Sequence, residues 1–200
     1  SPRLTDKLGV DIDPELLSLA LTHRSFAYEN GGAPHNERLE FLGDSILGQA
    51  VTVHLFQTHP DLDEGSLAKR RASVVSTVAL AEVARTIGLG EHIRLGRGED
   101  QTGGRDKDSI LADTMEAVIG ATFLSAGAAA ATALVLRLVA PLMAAPDRYG
   151  AAMDPKTSLQ ELAARLDLAP PTYHIEADGP DHNRWFTATV TVGDVSLRGQ

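Results

Sequence analysis

The stretch NERLEFLGDSIL, residues 36–47, sets three acids, Glu37, Glu40 and Asp44, among the apolar residues Leu39, Phe41, Leu42, Ile46 and Leu47. Helical side chains at i, i+3, i+4 and i+7 share a face. The three carboxylates therefore line up on one stripe, while Leu39, Leu42 and Ile46 anchor another side in a core. Like charges stacked this way repel, and a merely solvated face would mix in lysines. A cation between them removes the cost. Asn36, at the end of the loop NGGAPHN, reads as the N-cap of this helix.

A second stretch repeats the pattern. In LADTMEAVIGA, residues 111–121, Asp113 and Glu116 stand three apart on an equally apolar helix. Either acid pair alone is more often an ordinary surface pair than a site. Two apolar helices that each present acids form a four-carboxylate cage when they pack, and a cage of oxygen donors suits a hard ion, Mg²⁺ or Mn²⁺. The chain has no cysteine and no HExxH, so disulfides, thiolate metal sites and a zinc protease centre find no support.

The remainder up to residue 145 reads as helices joined by loops. Asp13-Pro14-Glu15 fits a helix start, followed by the short apolar run LLSLALTH. GQAVTVHLFQTHP continues or follows the first acidic helix and ends before Pro60. A single helix is expected from Glu64 through ASVVSTVALAEVARTIG, with Val74, Val78, Ala81 and Ile87 at roughly helical spacing. Residues 94–108, RLGRGEDQTGGRDKD, read as a long polar loop. Its glycines are not a phosphate loop, since no GKS or GKT follows. SILADTMEAVIGATFLSAG is the next helix. Beyond it, APDRYGAAMDP looks like a linker, TSLQELAARLD like an amphipathic helix, and YHIEA, RWFTATVTV and VSLRGQ like strands, the first two joined by the turn DGPDHN.

Net charge is −9, which argues against a simple electrostatic binder of nucleic acid. A metal held by clustered acids can still carry positive charge to a phosphate. Between Ser125 and Ala145 the only charge is Arg137. An arginine near the middle of a lipid-spanning helix is costly, so this segment is expected to be a soluble helix ending near Pro141, with no membrane partner. The N-terminus shows no signal-peptide core, and a cytoplasmic location is expected. The absence of a starting Met suggests a trimmed start.

NERLEFLGDSIL resembles the signature of the ribonuclease III family almost without departure, and GGRDKDSILADTMEAVIGATFL resembles its second acidic motif. ALTHRSFAYEN (residues 20–30) and DEGSLAKRRASVVS (63–76) are also similar. KTSLQELAARL together with PTYHIEADGPDHNRWFTATVTVG resembles the first two-thirds of a double-stranded RNA-binding domain. The resemblance implies an all-α nuclease domain over residues 1–145, a linker over 146–153 and an incomplete α+β (α-β-β-β) RNA-binding domain over 154–200. It implies that Glu40, Asp44, Asp113 and Glu116 coordinate metal, with Asp44 and Glu116 catalytic. Glu37 and Glu64 are implied as further catalytic acids, placed near the cleavage site with less central roles.

The implied activity is Mg²⁺-dependent (Mn²⁺ as the alternative) two-metal cleavage of double-stranded RNA to 5′-phosphate and 3′-hydroxyl ends, serving the processing of ribosomal RNA precursors and other RNAs. The implied assembly is a homodimer in which Phe41 plugs a pocket of the partner. From the residues alone, Phe41 reads as a plain core side chain, and Gly43 as either a close helix contact or a tolerated glycine. In the RNA-binding part, Thr157, Gln160 and Glu161 match one contact patch and Gly179, Pro180 and His182 a second. The lysine-rich helix that would form the third does not precede Gln200. From Asp154 onward four basic residues stand against seven acids, so weak duplex binding is expected of this part.

Lys69-Arg70-Arg71 reads equally as a phosphate contact or a solvated run. His23 reads as a hydrogen-bonded structural histidine, and Lys107 as a residue that orders its loop or the metal's surroundings. Two other functions fit part of the pattern. An all-α Mg²⁺-dependent nucleoside triphosphate pyrophosphohydrolase also uses paired helical acids, but leaves everything after residue 150 unexplained. A non-cutting regulator that binds double-stranded RNA would not need the intact acids.

Overall fold

The computed structural model describes residues 4–144, 155–178 and 184–199. The chain divides into two compact units, Ser1–Gly150 and Ala151–Gln200.

In the first unit the helices are α1 (Leu4–Leu8), α2 (Pro14–Ala20), α3 (Arg24–Glu29), α4 (Glu37–Thr58), α5 (Glu64–Val74), α6 (Thr77–Thr86), α7 (Arg97–Gln101) and α8 (Asp108–Met143), with 3₁₀ turns at Leu89–His92 and Gly104–Asp106. Asp13 starts α2 as its sequence indicates, its carboxylate accepting from the Glu15 and Leu16 amides, with Pro14 in the first turn. The core is built where α4 meets α8 and α8 meets α6. Leu47, Val51, Leu80, Leu111, Met115 and Ile119 are all at most 1% exposed. The acidic stretch is thus one long helix, and its apolar side faces inward as its spacing requires.

Three local expectations need correction. Asn36 does not cap α4 through its side chain; it has helical φ/ψ and makes no such bond. It is buried, and its amide side chain donates to the Ala20 carbonyl at 3.2 Å while its backbone N–H donates to Thr22 at 2.9 Å. Asn36 therefore ties the end of α2 to the start of α4. The expected helix from Glu64 is two helices. Ser76 has extended backbone and its hydroxyl accepts from the Ala79 amide at 3.1 Å, so it caps α6 in the middle of the pattern. The β-branched residues Val74, Val75, Thr77 and Val78 around Ser76 weaken helix continuity there.

Residues 94–108 are ordered rather than a loop. They hold α7 and a 3₁₀ turn, pinned by Arg105, which donates to the Gly90 and Ile93 carbonyls at 3.2 and 2.9 Å and pairs with Asp100 at 2.7 Å. Arg85 reaches Asp106 and Asp108, both at 2.6 Å, and so fixes the entry to α8.

By length and composition α8 is apolar enough to cross a membrane. Its first half instead supplies the middle of the core through Met115, Val118 and Ile119, and Gly127 interrupts it with φ 85°, ψ 175°. Pro141 lies inside its last turns, two residues before the end.

The second unit holds α9 (Pro155–Arg165) and an antiparallel sheet of β1 (Thr172–Asp178), β2 (Trp185–Val192) and β3 (Val195–Gly199), in that order. Thr172 pairs with Thr191 and Asp178 with Trp185; Val192 pairs with Val195 across the tight turn. The sequence order of helix and three strands is as expected. The linker expected over 146–153 and the turn tip of DGPDHN lie outside the described residues.

Candidate metal centre

Two glycines let the acid-bearing helices meet. A β-carbon built at Gly43 of α4 would lie 1.8 Å from the Glu116 carbonyl oxygen, and one built at Gly120 of α8 would lie 2.4 Å from the Leu39 carbonyl oxygen. Neither distance is sterically allowed, so backbone touches backbone at this crossing. A helical glycine costs about 1 kcal/mol against alanine; here it permits an approach no other residue allows. Of the two readings of Gly43, the close contact is the one found.

The crossing brings the acids together. Glu40, Asp113 and Glu116 each present a carboxylate oxygen within 4.8 Å of the other two, and all three residues are partly buried. Burial, followed by the charges of Asp44, Asp113 and Glu40, pushes the Glu116 carboxyl up to about 8. Burial, followed by Asp113 and Glu37, also raises Glu40; burial raises Asp113, partly offset by Arg24. Without a cation these carboxylates cannot all ionise at small cost. An ion with a preference for oxygen removes that conflict, so the donor set fits a hard divalent metal. Asp44 is exposed and stands outside the group of three, yet its charge acts on Glu116.

Glu40 and Asp113 also line a pocket with His23, Arg24, Asn36, Glu37, Glu99, Lys107, Ser109 and Ile110. Glu37 stands at its edge, 3.3 Å from the Arg24 guanidinium and 3.8 Å from His35. His23 caps α3: its Nδ1 accepts from the Ser25 amide at 3.2 Å, and burial lowers its pKa. Lys107 is bound closely to Glu99, whose carboxyl that bond holds low, and lies 3.4 Å from Thr102. Lys107 thus orders the α7 segment beside the acids.

The other expected site residues lie elsewhere. Glu64, the first residue of α5, lines a different, apolar groove with Thr52, Leu55, Phe56, Leu62, Leu67, Ala68 and Arg71. Arg71 of the basic run donates to Thr52 at 3.2 Å and ties α5 to α4. Phe41 is 79% exposed and is no core residue. It borders a concave surface that also includes Leu16, Leu19, Tyr28, His35, Leu42 and Leu124. Gln160 is exposed on α9. Thr157 and Glu161 belong to the same helix; Gly179, Pro180 and His182 lie outside the described residues.

Arg24, Glu99 and Gly120 were not singled out from the sequence. Gly120 had a signal, an isolated glycine in an apolar helix. Arg24 and Glu99 had none, because only the fold carries them to the acids.

Comparison with known proteins adds a separate line of evidence. Residues 13–142 match the Ribonuclease-III-like family, and residues 155–199 match the double-stranded RNA binding motif. The chain is 73% identical over 190 residues to Ribonuclease 3 of Leifsonia xyli subsp. xyli, covering 95% of this chain and 80% of that protein. It is 59% identical over 194 residues to Ribonuclease 3 of Mycobacterium tuberculosis (strain ATCC 25618 / H37Rv), covering 96% and 81%. Among solved structures, the nuclease domain of ribonuclease III from Campylobacter jejuni superposes with a TM-score of 0.65 at 40% identity, covering 69% of this chain and 94% of that one.

Proposed function

The chain belongs to the ribonuclease III family, as a nuclease domain followed by a double-stranded RNA binding motif, and from that premise we propose that it is a Mg²⁺-dependent endoribonuclease that cuts both strands of RNA duplexes as a homodimer. The observation that carries the proposal is the meeting of Glu40, Asp113 and Glu116 from two helices within 4.8 Å. Nucleotide pyrophosphohydrolysis would need no RNA-binding motif, and a purely binding regulator would need no such cluster.

Glu40, Asp113 and Glu116 would hold the divalent ions, with Asp44 contributing from the neighbouring turn of α4; Mn²⁺ is the alternative occupant. When bound, a pair of such ions supplies an activated water and stabilises charge at the phosphorus and the departing oxygen. The residues themselves do three things. Gly43 and Gly120 set the spacing of the carboxylates. Burial keeps the carboxylates in a medium where charge acts strongly. The Lys107–Glu99 and Arg85–Asp106–Asp108 contacts hold the start of α8 in place. The products are 5′-phosphate and 3′-hydroxyl ends.

Phe41, exposed beside an apolar concavity, supports a self-complementary contact in which each Phe41 enters the partner's concavity. Glu37 and Glu64 serve near the cut rather than as main metal ligands. Thr157, Gln160, Glu161, Gly179, Pro180 and His182 contact the duplex. The nuclease domain covers 1–145, the linker 146–153 and the RNA-binding part 154–200. The cellular role is processing of ribosomal RNA precursors and other transcripts in the cytoplasm. The test is one gel: paired RNA incubated with the chain, with Mg²⁺ and with chelator, beside single-stranded RNA and a nucleoside triphosphate. Metal-dependent cutting of the duplex alone is expected. Hydrolysis of the nucleotide in its place would overturn the reading.

A further inference from the structure

We propose that Arg24 is a phosphate-positioning residue of this centre, exchanging its contact with Glu37 for a non-bridging oxygen of the RNA backbone next to the bond that is cut. The proposal rests on the duplex-cleaving reading above. It starts from an imbalance: the chain carries a net charge of −9, Glu37, Glu40, Glu99 and Asp113 line one pocket, and the substrate is a polyanion. Cations beside the acids are therefore scarce and informative. Arg24 and Lys107 are the lysine and arginine side chains among the described residues lining that pocket.

The two are held differently. Lys107 is clasped by Glu99 and lies near Thr102, in a segment ordered by Arg105. Among the described residues Arg24 makes one ion pair, Nη1 to Glu37 Oε1 at 3.3 Å, between side chains that are 59% and 47% exposed. A pair so exposed is worth little, and a phosphate competes for the guanidinium with two parallel hydrogen bonds that one loose carboxylate contact does not match.

The backbone beneath Arg24 is by contrast fixed. The His23 N–H donates to the Arg94 carbonyl at 3.1 Å, and Asn36 binds the Thr22 carbonyl from the other side at 2.9 Å. The Ser25 hydroxyl accepts from Gly96 at 2.9 Å. Arg94 in turn donates to the Ser18 carbonyl at 2.6 Å. A rigid base with a loosely held charged tip is the arrangement expected of a residue that waits for a ligand. Arg24 lines the same pocket as Glu40 and Asp113, and its charge acts on both, so a phosphate entering that pocket meets the guanidinium beside the acids.

The test measures kcat and KM for one fully paired RNA duplex with Mg²⁺ across a KCl series, for the wild type, Arg24→Gln and Arg24→Lys. Thermal melts of each verify folding, and an intact fold is expected because Arg24 is mostly exposed. Arg24→Gln should raise KM about tenfold, the scale of one charged hydrogen bond, with kcat within about twofold. The log–log salt slope of kcat/KM should become shallower by about 0.9, the loss of one phosphate contact on the B-form DNA scale. Arg24→Lys keeps the charge and should keep the wild-type slope. A Gln variant with the wild-type slope overturns the proposal, and a fall in kcat at constant KM and slope does so too, by assigning Arg24 to the arrangement of Glu37. Should the wild type leave duplex RNA uncut, the function proposed above falls, and this role with it; should it cut with Arg24 without effect, only this role falls.

Discussion

Leu47, Leu111, Met115 and Ile119 of the helical unit are at most 1% exposed, whereas Ile175, Phe186, Val195 and Leu197 of the sheet unit are 57–68% exposed. The first unit buries its apolar residues to bring two helices into backbone contact, and the acids ride on that contact. The second spreads its apolar and polar residues over a thin sheet, in which every β1 and β3 residue is exposed. The contrast separates two ways of holding function. A metal centre needs fixed distances, which a dense core supplies. The duplex contacts proposed for the second unit lie on α9 and in the turn between β1 and β2, so the sheet carries them rather than makes them.

The largest expected effect lies in the helical unit. Glu116→Ala should lower Mg²⁺-dependent cleavage by about 10³-fold or more, while filter binding of the duplex by the same protein stays near wild type. A variant that still cuts at close to the normal rate would detach function from the helix crossing. Next comes packing. Met115→Ala should cost about 2–5 kcal/mol in denaturant unfolding of the helical unit, while Leu197→Ala in the sheet should stay within about 0.5 kcal/mol. Equal costs would erase the contrast between the units.

Within α4 itself, Gly43→Ala should destabilise by about 1–3 kcal/mol through overpacking. Gly48→Ala, with open space around it, should stabilise by about 0.5–1 kcal/mol. Paired melts of the two variants read the crossing directly.

A pH dependence confined to the helical unit sharpens the comparison further. Glu116 holds its proton up to about 8 in the folded chain, against an ordinary value of 4.5. Between those values the folded state retains a proton that the unfolded state has lost. The contribution of Glu116 to the stability of the metal-free protein is therefore full below about 4.5 and declines as pH rises through that window. Melts in chelator from about pH 5 to about pH 8.5 should show the decline, Glu116→Gln should flatten it, and Mg²⁺ should restore stability at the alkaline end. A profile unaffected by Glu116→Gln would place the carboxyl in water.

What the sequence made legible was periodic. The acidic stripe on α4, its partner on α8 and the order helix-strand-strand-strand at the C-terminal end follow from spacing and residue type. What it concealed was decided by tertiary bonds. Asn36 has the side chain of a cap, but the Ala20 carbonyl engages its amide. Ser76 sits between Val74 and Val78, which keep helical spacing, and its bond to Ala79 marks where a new helix begins. The polar segment 94–108 looked structureless because the carbonyls that order it, at Gly90 and Ile93, carry no sequence signature. Phe41 reads as core on spacing alone but is 79% exposed, since a helical stripe does not reveal which neighbour is missing.

The glycine crossing also bears on the birth of the protein. Glu40 lies early in the chain and Glu116 late, and neither Gly43 nor Gly120 has a backbone to press against until both helices exist. At ribosomal elongation rates of roughly 5–20 residues per second, several seconds on the order of ten separate their synthesis. Throughout that interval the nascent chain carries α4 with Glu40 but neither Asp113 nor Glu116, so the three acids meet only when α8 docks.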